Sequence, residues 1–149
     1  MAAMAGRFTA LIGALLLAAC APGPPGAGVE LKEGSYRPPL GSSGLGVAYG
    51  VLKSDRDEVV VALSSSAAER VELHATREEN GFSRMVRLER LDLPAGEAVR
   101  LEPQGLHLMV IRPADLAPGA PLPVTLTLQS GVTLTVEFAQ SADPVPQRN

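Results

Sequence analysis

The sequence predicts an all-β domain, a β-sandwich or Greek-key barrel, and three observations carry that expectation. Short runs alternate apolar and polar residues with the period of two that a half-buried strand requires. Turn residues interrupt these runs at close intervals, with 15 Gly and 13 Pro in 149 residues. No stretch after the leader sustains the 3.6-residue period of an amphipathic helix. Aromatic residues make up 3% of the chain and Trp is absent, so the core has to be built from Leu, Val and Ala. The length suits one domain with one modest core, and neither an internal repeat nor a second domain is visible.

The clearest element is a hairpin in PLPVTLTLQSGVTLTVEFA. Leu122, Val124, Leu126 and Leu128 alternate with Thr125, Thr127 and Gln129. Beyond Ser130-Gly131 the alternation resumes as Val132, Leu134, Val136 and Phe138. Glycine at the break supplies the positive φ of a tight turn. Further strands are expected over 46–53, 58–64, 69–76, 83–90, 97–102 and 105–111. They are separated by breaks at Lys53–Asp57, Glu79-Asn80-Gly81, Pro94-Ala95-Gly96 and Pro103-Gln104-Gly105, and LAPGAPLP (116–123) reads as a loop.

The N-terminus belongs to targeting rather than to the fold. MAAMAGRFTALIGALLLAAC places Arg7 before an apolar run from about Phe8 to Leu17, too short to span a bilayer as a helix. Leu17-Ala18-Ala19-Cys20 resembles the lipobox of bacterial lipoproteins, in which the cysteine is acylated and becomes the mature N-terminus. The single Cys of the chain stands at that position. The reading therefore assigns 1–19 to a lipoprotein signal peptide and 20–34 to a lipidated Cys20 with a Pro/Gly tether (APGPPGAG). Residues 35–140 form the β-domain and 141–149 a polar tail. The protein is expected outside the cytoplasm, anchored to a membrane through Cys20, with Ala21 after the cysteine favouring an outer membrane where there is one. One cysteine makes no internal disulfide. A formal net charge of −3 without a basic run gives nucleic-acid binding no support.

Two His and two Met fall out of the apolar phase. In GLHLMV the core phase is Leu106, Leu108 and Val110, which turns His107 and Met109 to the other face, about 7 Å apart. In ERVELHAT the core phase is Val71, Leu73 and Ala75, leaving His74 beside Glu72 and Thr76. In SRMVRLER, Val86 and Leu88 set the core phase and Met85 lies opposite with Arg87 and Glu89. Taken singly, each is more simply a solvated histidine or a packing methionine. Together they are every His and Met beyond the leader, and two imidazoles with two thioethers form a coherent donor set. Neutral, soft sulfur binds Mg²⁺ or Ca²⁺ poorly and favours Cu(I). Zinc more usually recruits Cys or a carboxylate. The Arg84, Arg87 and Arg90 stripe, interleaved with Glu72, Glu89 and Asp92, reads as a solvated face.

The spacing HX10MX21HXM, His74 to Met85 to His107-Leu108-Met109, resembles the signature of the PCu(A)C family of extracytoplasmic copper chaperones. AAERVELHA, ENG, LPAGEAVRLEPQGLHLMVI and PLPVTLTLQSG resemble that family's segments in its order, over residues 35–138. The resemblance implies a cupredoxin-like β-barrel holding one solvent-near Cu(I) on His74, Met85, His107 and Met109. It also implies a periplasmic carrier that passes copper towards the binuclear copper A centre of cytochrome c oxidase, with thioredoxin-like copper-assembly proteins as cooperating partners. The chain departs from the pattern at Ala75-Thr76, where many members have a further Met. It departs again at SYRPPLG, in place of their Trp-x-Arg, and in a tail without the His and Met of a Cu(II) site.

The expected role is non-enzymatic. Blue-copper chemistry needs a Cys thiolate that the mature chain lacks. Ser64–Ser66 have no base apart from the two histidines already in the donor set. Copper storage or tolerance requires the same site and stands as the alternative to delivery. A structural or assembly lipoprotein without metal leaves the His/Met coincidence unexplained.

Overall fold

The computed structural model describes residues 28–142. These fold into ten strands: β1 (Val29–Arg37), β2 (Leu45–Ser54), β3 (Glu58–Ser64), β4 (Ala68–Glu79), β5 (Phe82–Leu88), β6 (Leu91–Leu93), β7 (Ala98–Leu101), β8 (Leu106–Pro113), β9 (Leu122–Leu128) and β10 (Thr133–Gln140). No helix occurs among the described residues. The strands hydrogen-bond in the order β5-β4-β8-β7-β2-β1-β10-β9-β3-β6. This ribbon doubles back on itself, so that β3 lies against β4 and β6 against β2. One layer runs from β5 to β1 and the other from β10 to β6. They meet where β1 and β10 pair in parallel, Ser35 with Ala139 and Tyr36 with Gln140. The expected all-β sandwich is the observed one.

The inward phases predicted from alternation are the ones that meet. Val71 and Leu73 of β4, Leu108 and Val110 of β8, and Ala48 and Leu52 of β2 share a core with Leu122, Val124, Leu126 and Leu128 of β9. Tyr36 and Phe138 fill its two aromatic positions. The hairpins follow their turn chemistry. Asn80 (φ 52°) and Gly81 (φ 79°) make the two-residue β4–β5 turn. Leu128 donates to the Val132 carbonyl at 2.8 Å across a three-residue loop ending on Gly131 (φ 87°).

Two strands were not legible in the alternation. β1 begins at Val29, inside the segment assigned to the tether up to residue 34. Its pattern is broken by a bulge between Lys32 and Ser35, with Glu33 at φ 53°. Main-chain pairing to β2 and β10 holds this strand, and only Tyr36 is fully buried along it. β6 is three residues long, and its pairing of Glu58–Val60 with Leu91–Leu93 closes the edge of the second layer. The signal peptide, Cys20 and all but the first two residues of the 141–149 tail lie outside the described residues.

Two expectations follow. Val71→Asp or Leu126→Asp places a carboxylate in the shared core and abolishes cooperative thermal unfolding; a retained sharp transition would contradict the register. Burial pushes the Tyr36 phenol up to about 12 from 10.0. The raised native value means that its contribution is full below pH 10 and is lost as pH rises towards 12. Denaturant titrations of Tyr36→Phe should therefore show a shallower loss of stability across that window than the parent protein.

Candidate metal centre

The pairing of β4 with β8 sets His74 directly opposite His107, one position along from Leu73 opposite Leu108. Because successive side chains alternate, the histidines stand on the outer face of the first layer. Their ring centroids are 5.9 Å apart. Met109 pairs with Glu72 on the same face, which makes it the diagonal neighbour of His74. On the other side of β4, Met85 pairs with Thr76 and is likewise diagonal to His74. Three adjacent strands thus carry His74, Met85, His107 and Met109 at neighbouring positions of one face.

Their exposure differs. Met85 lies on edge strand β5 and is 60% exposed, whereas His74 and Met109 are half-buried. His107, expected to be an outward and solvent-near residue, is only 4% exposed. Its strand is central, flanked by β4 and β2, and the Tyr49 ring of β2 lies 6.5 Å away, with His74 on the opposite side. A face turned away from the sandwich core is here closed by its own side chains. Burial holds the His107 imidazole below its ordinary pKa; the Gly105 carbonyl opposes this and His74 reinforces it. The ring is therefore kept neutral, as a metal donor must be.

Each imidazole is oriented by a different partner. His107 Nδ1 donates to the Gly105 carbonyl at 3.1 Å, and the same oxygen accepts the Thr76 amide, also at 3.1 Å. This ties the turn before β8 to β4. His74 Nε2 donates to Glu72 at 3.0 Å. The remaining nitrogen, His74 Nδ1, is buried without a hydrogen-bond partner. A buried ring nitrogen without a partner, on a face that also carries a second imidazole and two thioethers, fits a soft cation. Among the described residues no three His, Cys, Asp or Glu side chains gather as a metal-binding group, so such a site depends on the methionines.

Sequence reasoning missed two contributors. Glu72 was read as part of a solvated charged face, yet its side chain is 13% exposed, with Arg87 at 3.4 Å and Arg70 at 3.6 Å. The hydrogen bond from His74 lowers its pKa most; burial opposes, and Arg87, His74 and Arg70 lower it further. Its place two residues before His74, in the same strand phase, was the available signal. Tyr49 carried no such signal, because its proximity to His107 arises from β2–β8 pairing. Arg37 lies over the Tyr49 ring at 5.7 Å. The mixing of the arginine stripe with acids is observed, Arg90 meeting Asp92 at 2.8 Å and Arg87 meeting Glu72.

Comparison with known proteins places the family and the fold. Residues 29–140 match the family described as "Putative lipoprotein LpqE-like". A protein of Leifsonia xyli subsp. xyli (strain CTCB07), described as "Putative lipoprotein Lxx21020", is 32% identical over 119 residues, covering 77% of this chain and 70% of that protein. Among solved structures, the fold is similar to the copper-bound PCuAC domain from PmoF2, with a TM-score of 0.62 and 19% identity over 78% of this chain and 94% of that one. It is also similar to the Cu(I) form of DR1885 from Deinococcus radiodurans, with a TM-score of 0.54 and 27% identity over 76% of this chain and 74% of that one. The family match across the whole β-domain and the likeness to PCuAC domains lead to one conclusion: the chain belongs to the LpqE-like lipoprotein family and is built on the PCuAC, cupredoxin-like fold.

Proposed function

We propose that this protein is an extracytoplasmic Cu(I) carrier that holds one ion on His74, Met85, His107 and Met109. The observation that carries the reading is the placement of all four on one face of β5, β4 and β8, with the two imidazoles facing each other at 5.9 Å. Four neutral donors preserve the single charge of Cu(I) and avoid a thiolate in an oxidising compartment. Support for copper as the cargo comes from the likeness to PCuAC domains, two of which are described as copper-bound and Cu(I)-bound.

The gradient of exposure suits transfer. Met85 on the edge strand is open to an approaching acceptor, and His107 lies deepest. An acceptor can therefore displace the outer thioether first and the inner imidazole last. In this reading the copper A centre of cytochrome c oxidase is the destination, thioredoxin-like assembly proteins cooperate, and acylated Cys20 confines the carrier to a membrane surface. No bond in a substrate is made or broken, so the role is delivery rather than catalysis.

Competition with a chromophoric Cu(I) chelator under anaerobic conditions tests the proposal. The parent protein should withdraw one equivalent of copper. Met109→Leu should weaken binding by roughly tenfold or more while leaving thermal unfolding unchanged. Failure of the parent protein to compete would remove the copper reading, and unchanged affinity of Met109→Leu would remove Met109 from the site.

A further inference from the structure

His74 and His107 face each other but are tied down by different ring nitrogens. A carboxylate only accepts hydrogen bonds, so the proton shared with Glu72 sits on His74 Nε2, 3.0 Å from the Glu72 oxygen. The lone pair of that ring is then on Nδ1, the buried atom without a partner. In His107 the arrangement is reversed. Nδ1 donates to the Gly105 carbonyl, and the lone pair is on Nε2. We infer that copper is taken through Nδ1 of His74 and Nε2 of His107, and that Glu72 is the positioning residue that imposes the Nδ1 mode on His74. The inference rests on the reading of these side chains as a Cu(I) site.

Glu72 is itself immobilised. Its Oε2 accepts the hydrogen bond from His74 Nε2, and its Oε1 faces Arg87 Nη1 at 3.4 Å and Arg70 Nε at 3.6 Å. With a side chain only 13% exposed, the carboxylate is a fixed point against which the imidazole is held. Glu72 lies two residues before His74 on one strand face, so its hold is along β4. It occupies Nε2 and leaves Nδ1 as the ring nitrogen without a hydrogen-bond partner. A carboxylate behind a ligating imidazole also raises the donor strength of that ring. Gly105 supplies the equivalent hold on His107 from the main chain, which no side-chain substitution removes.

Silver(I) offers a direct readout, because it has the charge and softness of Cu(I) and its spin-one-half nucleus couples to a directly bonded nitrogen. In the full chain labelled at histidine nitrogen and loaded with silver(I), one-bond coupling is expected on Nδ1 of His74 and Nε2 of His107. Coupling on Nε2 of His74 would overturn the assignment. In the metal-free protein, the His74 Nε2 proton should exchange slowly with solvent, and in Glu72→Leu it should exchange fast. Glu72→Leu should also lower Cu(I) affinity about 10- to 100-fold without shifting the melting temperature. Glu72→Gln keeps an acceptor oxygen and should retain the Nδ1 coupling, which makes it the deciding variant if Glu72→Leu does not fold. Loss of that coupling in Glu72→Gln, or unchanged affinity and proton exchange in Glu72→Leu, would refute a positioning role. A parent protein that binds neither ion overturns the copper reading, whereas the exchange of the metal-free protein separately reports whether Glu72 holds His74.

Discussion

Across β4 and β8, Val71 faces Val110 and Leu73 faces Leu108, and the same register sets His74 against His107 and Glu72 against Met109. These assignments cannot be changed independently. A slip of one residue in either strand would carry its histidine into the apolar layer and expose its leucines, at the cost of burying unpaired polar groups. Core packing therefore enforces the positions of these outer-face side chains, which inherit the rigidity of the sandwich without needing a dedicated scaffold. The Thr76 amide and the His107 ring both use the Gly105 carbonyl, so the end of this ladder is pinned where the second histidine emerges.

Much of this was legible because strand periodicity reports which face a residue occupies. Val71, Leu73, Leu108 and Val110 announced the core phase, and the out-of-phase positions of His74, Met85, His107 and Met109 followed from it. The hairpin around Gly131 and the turn at Asn80-Gly81 were marked by residues that accept positive φ. Periodicity says nothing about which strands become neighbours. The depth of His107 depends on β8 lying between β4 and β2, and its Tyr49 neighbour is brought by that second pairing. β1 escaped notice for a related reason. Its bulge breaks the alternation, and its partners β2 and β10 hold it largely through the main chain.

Glu72 shows how a charged residue can be misread from composition. Set against the stripe of Arg84, Arg87 and Arg90 it looks like surface salt-bridge chemistry, which contributes little to stability. In the folded protein one of its oxygens meets arginines and the other meets His74. The layered arrangement, arginine to carboxylate to imidazole, is the kind of outer support that fixes ring orientation in metal sites. Met85, by contrast, has little support around it and lies on an exposed edge. The proposed cargo site would use both, since firmly held donors define the ion's position and a loosely held one gives an acceptor a point of entry.

In the proposed site two imidazoles and two thioethers share one cuprous ion. X-ray absorption at the copper edge of the Cu(I)-loaded protein counts those neighbours directly. The expected spectrum contains both nitrogen and sulfur scatterers around a single ion, with the sulfur contribution reduced in Met109→Leu. A first shell of nitrogen and oxygen alone, unchanged by that substitution, would contradict it.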